Sequence, residues 1–176
     1  VAFLASKRDA RVPVPNQYFG AFQDGTLKYR GIELRRRDTT LWVRKIQLKA
    51  LEVLAGANTP HEFADRIPDV MALVECAKRD LRIGRVPLGE LVIRQRLSRT
   101  IEAYKTPSPA ARAALQLQAH GRQFAPGQSL EFLFARNVTG VHAWELDETL
   151  DSGRLDTKRY CKLLDRAVQT VLDPGK

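Results

Sequence analysis

YFGAFQDGTLKYRGIELRRRDTT, Tyr18 to Thr40, joins a hairpin to a cationic ridge and then to a helix start. Two runs rich in aromatic and branched residues flank Asp24-Gly25, a dipeptide whose glycine accepts positive φ and so closes a tight turn. Lys28, Arg30, Arg35, Arg36 and Arg37 place five cations within ten positions. That density marks a surface built to hold a polyanion. Leu27 and Tyr29 alternate on one face while Ile32 and Leu34 resume out of phase, which predicts a bulge at Gly31 that re-aims the strand. Upstream, Val12-Pro13-Val14-Pro15 reads as an extended approach to the hairpin.

Downstream, helical signals dominate. Asp38 or Thr39 is expected to cap a helix whose apolar positions Trp42, Ile46, Ala50 and Val53 or Leu54 recur through Ala55, with Gly56 as its stop. Thr59-Pro60-His61-Glu62 is a capping box with proline at the first helical position. Pro68 is expected to kink or restart the helix that follows, and Val70, Leu73, Val74, Ala77 and Leu81 mark its buried face up to Gly84. Val86 to Gly89 reads as a connector, and Leu91-Val92-Ile93 as a short strand. Ser108 should cap, and Pro109 begin, an Ala-rich helix ending at Gly121, thin enough for a close neighbour. After a Pro126-Gly127 turn, Leu130 to Phe134 and Val141 to Trp144 read as two strands of a small sheet joined through Gly140. Asp156 should cap a last helix with Tyr160, Leu163 or Leu164, Ala167, Val168 and Val171 inward. Trp42 and Trp144 both fall in periodic apolar patterns and read as core. The fold class is therefore α+β: an N-terminal β-hairpin followed by a mainly helical region with a small antiparallel sheet.

Composition points the same way as the ridge. With 29 Lys and Arg against 20 Asp and Glu, the 176-residue chain carries a net charge of +9, which favours a phosphate-bearing partner. No stretch approaches the roughly 18 to 20 consecutive apolar residues of a membrane span, and Val1 to Ala5 lacks the charged lead of a signal peptide. The expectation is a cytoplasmic protein without a membrane partner. Cys76 and Cys161 lie far apart with no CxxC, and His61, His120 and His142 lack ligand spacing, so packing or solvent roles are expected rather than a metal site. The start at Val1, without Met and inside strand-like sequence, reads as a fragment of a larger polypeptide.

The ordered series Tyr18-x-Gly20, Asp24-Gly25, Arg30-Gly31-Ile32-Glu33 and Arg36-Arg37-Asp38 resembles the palm-to-thumb passage of family B DNA polymerases, most closely the archaeal type. Further on, Leu97-Ser98-Arg99, Tyr104-Lys105, Ser108-Pro109, Gly121, Pro126-Gly127 and the Tyr160 to Leu172 helix follow that family's thumb in the same order. One departure stands out. Where the family usually reads lysine-lysine-arginine-tyrosine, this chain has Pro15-Asn16-Gln17-Tyr18, and neutral amides release no counterions from DNA.

The resemblance implies that residues 1–38 are the end of the palm and 39–176 the thumb. It also implies that primer-template duplex DNA and the remaining palm and fingers are the partners. The DNA-facing residues it implies are Tyr18, Lys28, Arg30, Gly31, Arg36, Arg37, Asp38, Arg99, Tyr104, Lys105 and Ser108. Asp38 could both cap the helix and orient Arg36 or Arg37, and Ser108 would cap and meet phosphate at a helix start. The family's catalytic aspartates lie in palm motifs that would precede Val1, so no catalytic residue and no metal are expected in this segment. Magnesium belongs to the parent polymerase. Asp147 and Asp151 are close in sequence but carry no matching motif, and read as surface carboxylates. A free-standing nucleic-acid-binding or assembly module with an Arg-rich face, or a structural protein meeting an acidic partner, would share the ridge without the polymerase context.

Overall fold

The computed structural model describes residues 2–5, 13–36, 38–146 and 150–172, with backbone alone for 2–5, 13–17 and Arg35. Strands β1 (Ala2–Ala5), β2 (Pro13–Ala21) and β3 (Leu27–Arg30) form an antiparallel sheet in sequence order. The predicted turn is present: the Gly25 amide donates to Phe22 O at 3.0 Å, Gly25 has φ +81°, and Thr26 N donates to Asp24 Oδ1 at 2.9 Å. That bond holds the Asp24 carboxyl below its ordinary range.

Gly31 does not make the expected bulge. Strand β3 ends at Arg30, and Gly31, at φ +72°, turns the chain into a 3-10 turn over Glu33–Arg35. This explains the broken phase: Ile32 is buried because the turn folds it inward, not because the strand continues.

Helix α1 (Leu41–Ala55) starts one or two residues later than expected, since Thr40 rather than Asp38 or Thr39 is its cap, accepting from Val43 N at 3.3 Å. It ends at Gly56, whose φ of −76° is ordinary. The missing side chain there leaves room for Arg66, which donates to Val53 O at 2.7 Å and Gly56 O at 3.0 Å. Helix α2 (Pro60–Arg82) carries the predicted cap, Thr59 accepting from Glu62 N, while Glu62 reaches back to Asn58 N. Of the kink or restart expected at Pro68 there is no restart, because the 23-residue helix is continuous through that position. Its buried residues Val70, Val74, Ala77 and Leu81 are the expected face.

The short strand is displaced. Leu91 closes a single-turn helix α3 (Leu88–Leu91), and the strand is β4 (Ile93–Arg96), antiparallel to β5 (Ser129–Phe134), which pairs in turn with β6 (Val141–Ala143). Helix α4 (Pro109–Gln118) packs on β5 and β6 through Ala110, Ala111, Ala113 and Ala114, all fully buried, the close approach its composition predicted. From α4, Gln116 accepts from Ala143 N and donates to Val141 O, both at 2.8 Å, so the β6 edge is satisfied. Asp156 caps α5 (Thr157–Leu172), whose inward residues are Tyr160, Leu164, Ala167, Val168 and Val171. Trp42 is buried as expected. Trp144 is not: it follows β6 in a turn and is 39% exposed.

Buried residues from Phe19 to Val171 form one continuous core, and Phe19 joins the hairpin to α2 with its ring 6.3 Å from that of Phe63. The architecture is α+β, a hairpin sheet followed by a mainly helical body with a small antiparallel sheet.

Candidate nucleic-acid interface

Alternation along the hairpin decides which side chains share a face. In register, Tyr18 faces Arg30, Phe19 faces Tyr29 and Gly20 faces Lys28. Directly opposed residues share a face, as do residues two apart in a strand. Tyr18, Gly20, Lys28 and Arg30 therefore lie on one face, and the buried Phe19 packs the other against the helices. Lys28 and Arg30 are exposed, and Lys28 Nζ stands 5.6 Å from the Phe22 ring centroid at the hairpin end. Among the described residues no carboxylate lies in ion-pair range of either cation. Gly20, opposite Lys28, carries no side chain on that face.

The segment after Gly31 is a second unit. Arg36 holds Asp38 in a two-point contact, Nε to Oδ1 at 3.2 Å and Nη2 to Oδ2 at 3.1 Å, with both side chains about half exposed. The Asp38 hydrogen bond raises the Arg36 pKa further above its ordinary value. Asp38 thus orients Arg36 and leaves the helix cap to Thr40, one of the two jobs expected of it. Arg37 lies outside the described residues.

Arg99, Tyr104, Lys105 and Ser108 form a third group, carried by the connection from β4 into α4. The Arg99 guanidinium sits 5.5 Å from the Tyr104 ring centroid. The Tyr104 hydroxyl accepts from Ser98 N at 3.1 Å and lies 3.0 Å from Ser98 Oγ, contacts that lower its pKa. Ser108 Oγ accepts from Ala111 N at 3.2 Å as the α4 cap. Lys105 is exposed. The first two groups share the hairpin and its exit, whereas this one is built on α4, a different element.

Two residues escaped sequence reading. Gln47 is fully buried in α1, on the same helical phase as Val43, Ala50, Leu51 and Leu54; the phase was legible, but an amide on it reads as surface. Ser98 fixes Tyr104, and nothing in its sequence context signals this pairing. No three His, Cys, Asp or Glu residues come together as a metal site among the described residues, and Asp147 lies outside them. The residues described do not fit a magnesium centre. No described helix is long and apolar enough to cross a membrane.

The sequence model of DNA polymerase family B matches residues 16–173. The chain belongs to DNA polymerase family B. Its relatives include DNA polymerase 1 of Saccharolobus solfataricus, 26% identical over 156 residues covering 88% of this chain. Another is a DNA polymerase of Thermococcus litoralis, 29% identical over 111 residues, or 63% of the chain. The chain spans 17% of the first of these relatives and 6% of the second. In fold it is similar to the family B DNA polymerase from Pyrobaculum calidifontis, with a TM-score of 0.73 over 92% of this chain and 20% of that one, at 20% identity. The family B resemblance read from the Tyr18 to Asp38 motifs thus extends over nearly the whole length of the chain.

Proposed function

We propose that this chain is the end of the palm (1–38) and the thumb (39–176) of a DNA-directed DNA polymerase, and that it holds primer-template duplex through the phosphate backbone. The observation that carries this reading is the hairpin face on which Lys28 and Arg30 stand exposed beside Tyr18, with no carboxylate among the described residues close enough to neutralise them. Cations that meet phosphates grip a duplex regardless of sequence, which is what a polymerase needs of the product it has just made. Arg36, pre-oriented by Asp38, adds a planar donor fork suited to phosphate oxygens. Gly31 serves by its conformation, turning the chain from the hairpin into this segment. Arg99, Lys105 and the start of α4 at Ser108 extend the grip along the duplex, with Tyr104 as a rigid support for Arg99.

Catalytic aspartates and the magnesium they hold belong to the parent polymerase's palm, with which this chain would share the primer end. The chain alone would bind duplex and extend nothing. A titration of duplex DNA against a polyacidic protein, read by fluorescence anisotropy, separates the polymerase reading from a generic acidic-partner surface. The proposal requires the duplex to be preferred and primer extension by this chain, supplied with magnesium and nucleotides, to be absent.

A further inference from the structure

The 3-10 turn that carries the cationic segment is held by the buried Gln47 and by Arg44 as well as by its own backbone hydrogen bond. Gln47, fully buried, satisfies its whole amide there: Oε1 accepts from Leu34 N at 2.9 Å, while Nε2 donates to Glu33 Oε2 at 3.1 Å and to Ala167 O at 2.7 Å. The other Glu33 oxygen lies 3.3 Å from Thr170 Oγ1, whose single proton has its shorter contact with Arg166 O at 2.9 Å. At the end of the turn, Arg36 N donates to Glu33 O at 3.0 Å, and Arg44 Nη2 donates to Arg36 O. The turn is therefore fastened to α1 by Gln47 and Arg44, and through Gln47 to Ala167 of α5.

We infer that Glu33 and Gln47 are positioning residues for the cationic segment: they lock the Glu33–Arg36 backbone onto α1 and α5 and so fix where Arg36 meets a phosphate. This rests on the duplex-binding reading above. A buried amide with both its oxygen and its nitrogen paired is rigid and directional, and loss of Gln47 would leave Leu34 N and Ala167 O without these partners. Gly31, exposed and at φ +72°, separates the locked turn from strand β3. The segment is thus bonded to the helices although it follows the hairpin in sequence.

A double-mutant cycle on duplex affinity tests this, combining Arg36→Ala with Gln47→Leu and, separately, with Glu33→Ala at the partly exposed partner of Gln47. Alone, Arg36→Ala is expected to weaken binding roughly tenfold, the size of one charge-assisted contact, and to flatten the salt dependence by about one counterion. With the lock broken, the same substitution should cost less than about twofold, because Arg36 no longer sits at its phosphate. A merely structural role would lower the melting temperature yet leave the full effect of Arg36→Ala in place, and that additive result overturns the inference. If Gln47→Leu fails to fold, the Glu33→Ala cycle decides, with a reduced Arg36→Ala effect supporting the lock and additivity refuting it. If Arg36→Ala has no effect even in the unaltered protein, the duplex reading at Arg36 fails, and the positioning role fails with it.

Discussion

The Tyr160 hydroxyl donates to Leu91 O at 2.9 Å and accepts from Phe134 N at 3.0 Å, so a single buried phenol ties α5 to α3 and to the end of β5. Its ring also lies 5.7 Å from that of Phe134. Burial raises its pKa well above the ordinary value near 10. The folded state therefore keeps the proton that the unfolded state releases, so stability is full below about pH 10 and falls as pH rises beyond it. Tyr160→Phe leaves an amide and a carbonyl unpaired and should cost about 1–3 kcal/mol in urea unfolding. It should also remove part of the alkaline decline.

At the start of α1, Thr40 and Asp38 carry separate jobs that stability measurements can tell apart. Thr40→Ala removes the acceptor for Val43 N and should cost about 1 kcal/mol. Asp38→Ala breaks only a half-exposed pair with Arg36 and should change stability by less than about 0.5–1 kcal/mol. Thermal or chemical unfolding of the two variants distinguishes them, and a larger loss from Asp38 would restore Asp38 as the cap.

Pro68 sits exposed inside a continuous α2. It lacks the amide donor of an interior helical residue, a defect of up to about 3 kcal/mol partly offset by the stiffer unfolded chain. Pro68→Ala is expected to raise stability by about 1–2 kcal/mol, measured by the urea midpoint at unchanged m-value.

These cases show which parts of the fold were legible in the sequence. The Asp24-Gly25 turn and the caps at Thr59, Ser108 and Asp156 are set by residues within a few positions of one another, and all were readable. The β4 boundary was not, because Ile93–Arg96 is a strand only through its register with Ser129–Phe132, and its alternation of burial is weak in isolation. Pro68 does not restart α2 for a similar reason: the packing of Val70, Val74 and Ala77 outweighs one missing helical hydrogen bond. Trp144 followed the apolar pattern of β6, but the strand stops at Ala143. For the interface, charge density located the ridge, while orientation needed the structure. Only cross-strand register places Tyr18 with Arg30 and Lys28, and only tertiary contact reveals that Glu33 belongs to Gln47 and α5.

Whether this chain grips duplex DNA by its phosphates is decided by duplex affinity measured across a range of salt concentrations. The unaltered protein, Arg30→Ala and Arg36→Ala are compared. A phosphate grip makes log K fall linearly with log salt, and each substitution should lower the slope by about 0.9, one released counterion, with little dependence on duplex sequence. Affinity indifferent to salt, or slopes unchanged in both variants, would contradict it.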